Sequence, residues 1–326
     1  MLLGPDLLEA VNQTYDISAT ELKPFGPVWR VYAAKGCFAL KRTGPSTERL
    51  VHAAATLSQI NDAGFSSFIA PVITEKKLPY FEFRNHLYQL FQWRQGKHPS
   101  FTEPESIQKC ACLFARLHRI SRLGLKHEAY QREELLAELE ERNAFLENII
   151  AFLKKGPRLN RIDRRLLGWS DYFMAQARHG LSGVEETVRA SSSGALTGFC
   201  HNDPAPRNII VENGQWLLID FQLSAWGFLV TEISKLAVRV LQANHWDPLI
   251  FDLVIDAYQR ERAITDWEKR ILPYLICFPH SFWRICQQRF GEKLQWSQRR
   301  FADRLWKITN EEPQRLLFLK SILPEL

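Results

Sequence analysis

The stretch CHNDPAPRNIIVENGQWLLIDF runs from Cys200 to Phe221 and holds Asp203, Asn208 and Asp220, each beside a strand-like apolar run. Two readings are open. The three can be turn residues of an ordinary loop and hairpin, since Asp203 precedes Pro204 and Asp-Pro commonly starts a turn. They can also be a site for a metal-bound phosphate. Phosphoryl transfer from ATP needs one carboxylate to orient or deprotonate the attacking hydroxyl, oxygen ligands to hold Mg²⁺ against the phosphates, and a lysine from a separate strand to grip them. On this reading Asp203 faces the acceptor hydroxyl, Asn208 and Asp220 coordinate the ion, and Lys41 supplies the cation from across a cleft. Asp and Asn are the hard oxygen donors that Mg²⁺ prefers, and nothing in the set suits zinc better. Each residue alone is weak; the ordered set of four is harder to obtain by chance.

The elements that must position these residues can be read from the pattern. NIIVE and QWLLID flank Asn213-Gly214, a strong hairpin turn sequence. A hairpin returns the chain to its start, so Asp220 is expected back beside Asn208. Upstream, PVWRVYAAKGCFALKR (Pro27 to Arg42) holds two β-prone runs around Lys35-Gly36. In the second run Cys37, Ala39 and Lys41 share one face, and Phe38 and Leu40 the other. PSTERLVHAAATLSQINDAGF reads as a helix capped by Ser46 or Thr47, with Gly64 after its end. HLYQLFQW is a further β-prone run, and the turn-like RQGKHPS follows it.

From Thr102 onward the period becomes helical. Ile107, Cys110, Phe114 and Leu117 form one stripe, and Leu135, Leu139, Leu146, Ile149 and Leu153 a second. Val230, Ile233, Leu236, Ala237, Val240 and Leu241 form a third. The predicted class is α+β, with a β-rich N-lobe over residues 1–95 and a mainly helical C-lobe over 96–326.

Composition fits an ordinary globular protein: 326 residues, 46% hydrophobic and 24% charged, with ten Trp and 21 Phe to bury. The formal net charge of +6 is compatible with an anionic ligand such as a nucleotide. The six cysteines are scattered and include no Cys-x-x-Cys pair, which predicts reduced thiols in a cytosolic compartment. MLLGPDLLEAV lacks the basic start of a signal peptide, and no run reaches the roughly 18 apolar residues of a membrane span. No membrane partner is expected. The basic cluster from Arg158 to Arg165 lacks interleaved aromatics, so it is read as a solvated helix start and no nucleic acid is expected. FPHSFW is read as core packing, and His118 as a packed core histidine.

HNDPAPRN followed by LLIDF resembles the His-x-Asp-x4-Asn catalytic loop and metal-binding Asp of the aminoglycoside phosphotransferase and choline kinase group, and CFALKR resembles its nucleotide-gripping strand. Within that group the chain resembles the CotS-type spore coat proteins. Two diffuse stretches carry this likeness, ISKLAVRVLQANHWDPLIFDLVIDAYQRE and ILPYLICFPHSFWRI. The resemblance implies the bilobal protein-kinase-like fold, ATP and Mg²⁺ as cofactors, and a hydroxyl-bearing small molecule or coat-associated glycan as acceptor. It implies Asp203 as catalytic base, Asn208 and Asp220 as metal ligands, Lys41 on the α- and β-phosphates, and His201 as a brace. Phe91 to Trp93 would form the connector where adenine bonds to backbone. It also implies a place in the mother-cell cytoplasm or the spore coat, with other coat proteins as partners.

The chain departs from the group's pattern in three places. KPFGPVWR has one glycine, Gly26, where a Gly-rich loop would close over phosphates. The helical glutamate that should pair with Lys41 is missing near His52 and Ala53, and Glu48 is the substitute expected here. Arg207 stands where relatives commonly carry glycine, and arginine takes positive φ at a cost. These departures favour a second expectation, a catalytically inactive kinase-like scaffold of the spore coat; the intact Asp203, Asn208, Asp220 and Lys41 favour an enzyme.

Overall fold

The computed structural model describes residues 4–44, 46–124, 132–156, 158–190, 195–292, 294 and 296–326. The chain divides into two compact units. The first comprises residues 1–100, 113–126 and 199–225; the second comprises 101–112, 127–198 and 226–326. The mixed α+β class expected above is what the chain adopts, with an antiparallel sheet toward the N-terminus and helices toward the C-terminus.

The first unit is built on a five-stranded sheet. Its strands are β1 (Ala19–Phe25), β2 (Val28–Ala33), β3 (Gly36–Thr43), β4 (Phe81–Phe83) and β5 (His86–Gln92), in the order β1-β2-β3-β5-β4. The β2–β3 turn is Ala34-Lys35, one residue earlier than the pattern predicts. Ala33 pairs with Gly36, which at φ +117° opens β3. Alternation along β3 sends Phe38 and Leu40 into the core with Val31, Tyr88 and Leu90. Helix α1 (Gly4–Thr14) closes that core, since Leu7 and Val11 lie one turn apart on its apolar face. Cys37, Ala39 and Lys41 therefore share the opposite face of the sheet, as the alternation requires. Helix α2 (Thr47–Asp62) is capped by the Ser46 side chain, which accepts from Arg49 N, and it ends before Gly64 at φ +100°.

Strand β6 (Thr197–Cys200) runs into the segment 199–225, which belongs to this unit and carries the hairpin of β7 (Ile209–Glu212) and β8 (Gln215–Leu218). Asn213 and Gly214 both have positive φ, the type I′ requirement, and Ile209 pairs with Leu218 through to Glu212 with Gln215. Backbone bonds fasten the hairpin on both sides. Ile69 N donates to Leu218 O at 2.9 Å and Leu218 N to Ser67 O at 2.9 Å, while Lys97 and Val211 exchange two bonds of 3.0 and 2.8 Å. Gly96 makes the second attachment possible. A Cβ there would lie 2.4 Å from both Ile210 Cγ2 and Val211 O.

The second unit is helical. It contains α4 (Arg132–Lys155), α5 (Arg161–Ala190), α6 (Leu229–Ala243), α7 (Pro248–Gln259), α8 (Asp266–Cys277), α9 (His280–Cys286) and α10 (Gln298–Ile322); α3 (Pro104–Gly124) contributes its first turns. Helix α5 packs against α4 and α8, and α6 against α8. All six stripe residues expected on α6 are buried, as are Leu135, Leu139, Leu146 and Leu153 on α4. Ile150, rather than Ile149, completes the α4 core face. The basic cluster does open a helix: Asn160 caps α5 by accepting from Ile162 N and Asp163 N, and Arg161, Arg164 and Arg165 are exposed. FPHSFW is core, with Phe278 and Phe282 both 1% exposed and Phe282 stacked on Phe173 at 4.3 Å. His118 is buried. Among the described residues no helix is long and apolar enough to cross a membrane.

Gly96→Ala should lower stability by about 1–3 kcal/mol through overpacking against β7. Chemical denaturation should show this as a lower midpoint at unchanged slope; an unchanged midpoint would mean that the Lys97–Val211 attachment yields without cost.

Candidate functional site

All four polar residues singled out in the sequence lie in the first unit. Two bonds to the backbone of Ile219 and one ion pair bring them together. The loop from His201 to Asn208 is held at both ends to Ile219, the residue before Asp220. His201 is fully buried, and its Nε2 lies 2.8 Å from Ile219 O. At the other end Ile219 N donates to Asn208 O at 2.9 Å. Asp203 N lies 3.3 Å from His201 Nδ1, so the tautomer that satisfies both contacts carries its hydrogen on Nε2. The imidazole also packs on Phe221 at 4.6 Å and edge-on to Phe114 at 6.1 Å. It braces the loop from within the core.

Asp203 and Asn208 face one another across the loop. Asn208 Nδ2 donates to Asp203 O at 2.9 Å and to Asp203 Oδ2 at 2.8 Å. With the amide nitrogen so used, the group Asn208 has to offer an ion is its carbonyl oxygen. Pro206 to Asn208 form one 3₁₀ turn, closed by Asn208 N donating to Ala205 O at 2.9 Å. Arg207 sits inside that turn and is not among the residues with positive φ, so the strain expected of arginine at this position does not arise. Its guanidinium instead reaches Asp203, Nη2 to Oδ2 at 2.6 Å. The sequence marks Arg207 as a departure but does not show its pairing with Asp203. The i, i+4 spacing was the available hint.

Asp220 is the strained member. It holds φ +67° and ψ +64°, a left-handed conformation uncommon for a residue with a Cβ. One carboxylate oxygen, Oδ2, lies 2.6 Å from Lys41 Nζ. The other, Oδ1, is buried and has no hydrogen-bond partner among the described residues. A buried carboxylate oxygen left without a donor is costly unless something else occupies its lone pairs. A cation would do so. The donor set of Asp220 Oδ1 and the Asn208 carbonyl is all oxygen and fits Mg²⁺ or Ca²⁺ rather than a metal that prefers nitrogen or sulfur.

Lys41 does not take its partner from α2. Glu48 is exposed on the first turn and makes no ion pair among the described residues. Ala53 and Ala54 of α2 instead line a small cavity with Leu50, Phe91, Phe221 and Gln222. The helix is aliphatic where a carboxylate is expected, and Lys41 turns to Asp220. That pair is partly exposed, with side chains at 21% and 31%, so it contributes on the order of 1 kcal/mol.

The two connector residues lie near and just beyond the end of β5. Phe91 pairs with Ala39 in the sheet and lines the cavity beside Phe221. Trp93 gives its backbone N–H to Cys37 O at 3.0 Å. Its indole lies under the Arg30 guanidinium at 4.7 Å and edge-on to Phe25 at 5.0 Å. Gly26 and Pro27 form a two-residue turn between β1 and β2, with Phe25 59% exposed beside it. A tight aromatic-flanked hairpin thus stands in place of a glycine-rich loop.

A family model described as the phosphotransferase enzyme family matches residues 26–271. Among solved structures, an aminoglycoside phosphotransferase from Alicyclobacillus acidocaldarius aligns with a TM-score of 0.79 at 22% identity, covering 97% of this chain and 95% of that one. A spectinomycin phosphotransferase, solved with ADP and spectinomycin, aligns at 0.65 and 13% identity, covering 95% and 94%. A choline kinase from Streptococcus pneumoniae aligns at 0.57 and 12% identity, covering 97% and 98%. At these identities the likeness is one of fold.

His201→Ala should cost about 2–4 kcal/mol, from the lost bond to Ile219 and the cavity left between Phe114 and Phe221. Urea unfolding measures it, and a loss below about 0.5 kcal/mol would remove the histidine as the brace of the loop.

Proposed function

Because the chain belongs to the phosphotransferase enzyme family, we propose that it transfers the γ-phosphoryl group of ATP, with Mg²⁺, to a hydroxyl of a small molecule or a coat-associated glycan. The observation that supports this reading best is the convergence of Asp203, Asn208, Asp220 and Lys41 in one unit, with a buried Asp220 oxygen left open for a cation. Asp203 would accept the hydrogen bond of the acceptor hydroxyl and take its proton. The hydroxyl oxygen would form its bond to the γ-phosphorus as the bridging bond to ADP breaks, the electron pair leaving with ADP. Asn208 and Asp220 would hold Mg²⁺, which when bound neutralises charge on the phosphate oxygens. Lys41 would move from Asp220 Oδ2 to the phosphates. At the connector, Trp93 has its N–H engaged, so base contacts there would fall to its carbonyl and indole, with Phe91 behind them.

A second reading is favoured by one observation. Both carboxylates already carry a cation, Asp203 with Arg207 and Asp220 with Lys41. An arrangement closed on itself in this way suits a kinase-like scaffold without turnover. On either reading we place the protein in the mother-cell cytoplasm or the spore coat, with other coat proteins as partners; the likeness of residues 233–261 and 271–285 to the CotS-type branch supports this.

Mg-ATP should raise the melting temperature of the wild type, and Asp220→Asn should abolish that shift while the protein stays folded. Equal shifts in the two would remove Asp220 as the metal ligand. Asp203→Ala should abolish any phosphate transfer across an acceptor panel, whereas Mg-ATP binding with no transfer by the wild type selects the scaffold reading. A fluorescent fusion in a sporulating host should appear in the mother cell or on the spore surface, and signal confined to vegetative cells would argue against this placement.

A further inference from the structure

We propose that the acceptor carries an acid group near its reacting hydroxyl, and that Arg207 is the residue that binds it. This rests on the phosphotransferase reading and deepens it by naming the charge class of the substrate. The guanidinium is placed beside the atom that would receive the acceptor's proton, 2.6 Å from Asp203 Oδ2. That placement is built into the backbone. Pro206 presets the first residue of the 3₁₀ turn, Ala205 N donates to Asp203 O at 2.7 Å, and Asn208 N donates to Ala205 O. Arg207 therefore projects from a turn closed directly onto Asp203.

The side chain is 64% exposed, and one Nη makes the contact with Asp203. A guanidinium offers five N–H donors in a planar fork, so the edge turned to solvent can take a carboxylate or phosphate in two parallel bonds. Between Asp203 and Arg207 the loop offers only Pro204, Ala205 and Pro206, and Ala205 is fully buried. The loop thus brings one cation to the acceptor hydroxyl and sets it against the Asp203 charge. An amine-bearing acceptor would meet like charge at Arg207 and a carboxylate already neutralised. An acid-bearing acceptor would replace Asp203 as the partner of Arg207, leaving Asn208 Nδ2 as a donor to Asp203 Oδ2 as the substrate arrives. The contact that closes the site in the second reading then becomes the contact the substrate exchanges.

The test measures ADP release from Mg-ATP with five probes: glycerate and glycerol 3-phosphate as anionic alcohols, glycerol as the neutral one, and ethanolamine and choline as cationic ones. The wild type should use an anionic probe with a KM at least about tenfold below that for glycerol. Arg207→Ala should raise that KM roughly ten- to a hundredfold, Arg207→Lys should recover part of the loss, and Arg207→Glu should remove the preference. The proposal is overturned if no anionic probe is used, if a neutral or cationic probe is used as well or better, or if Arg207→Ala leaves the anionic KM unchanged. A wild type that fails to bind Mg-ATP breaks the phosphotransferase reading itself. One that binds Mg-ATP and hydrolyses it through Asp203, yet shows no anionic preference, breaks only this inference.

Discussion

Two backbone atoms of Ile219 carry the organisation of the site. Its carbonyl meets His201 Nε2 and its N–H meets Asn208 O. One bond fastens the start of the loop and the other its end, so Asp203 and Asn208 are fixed to the residue between β8 and Asp220. The hairpin register makes this possible. A one-residue slip between β7 and β8 would turn every side chain to the opposite face and carry Ile219 away from Asn208. The Asn213-Gly214 turn, the Lys97–Val211 pair and the Ser67–Ile69 attachment each oppose such a slip. Much of the first unit can be understood as holding that register.

The same region carries the local strain. Asp220 adopts a left-handed conformation and buries a carboxylate oxygen without a hydrogen-bond partner among the described residues. Neither feature helps the apo fold, and together they are the kind of cost retained where a ligand repays it. The Lys41 contact offsets only part of it, being partly exposed. On the proposed function, cation binding satisfies the open oxygen and releases Lys41 to the phosphates in the same step. The pairing of two carboxylates with two cations then describes a resting state, each cation waiting for an anion to replace its carboxylate.

How far the site can be read from sequence depends on the range of the interaction. Local features were legible. Asn213-Gly214 set the hairpin, alternation along β3 placed Lys41 opposite Phe38 and Leu40, and a 3.6-residue period marked the buried face of α6. The family membership followed from the ordered motif. Pairings across the fold were not legible. Lys41 was expected to find a helical carboxylate, because strand–helix proximity can be guessed while the rotation of α2 cannot; Ala53 and Ala54 face the cavity there. Arg207 was expected to be strained, because spacing does not reveal that Pro206 starts a 3₁₀ turn. The β2–β3 turn and the Ile149/Ile150 choice each shifted by one residue, which is the ordinary uncertainty of element boundaries and of helical phase.

On the proposed function, Asn208 and Asp220 would form a cation site completed by nucleotide phosphates. Calorimetric titration of the wild type with ATP, in the presence and absence of Mg²⁺, tests it most directly. Saturable one-site binding is expected with Mg²⁺, and affinity at least about tenfold weaker without it, a difference of about 1.4 kcal/mol or more. Equal affinity under the two conditions would contradict it.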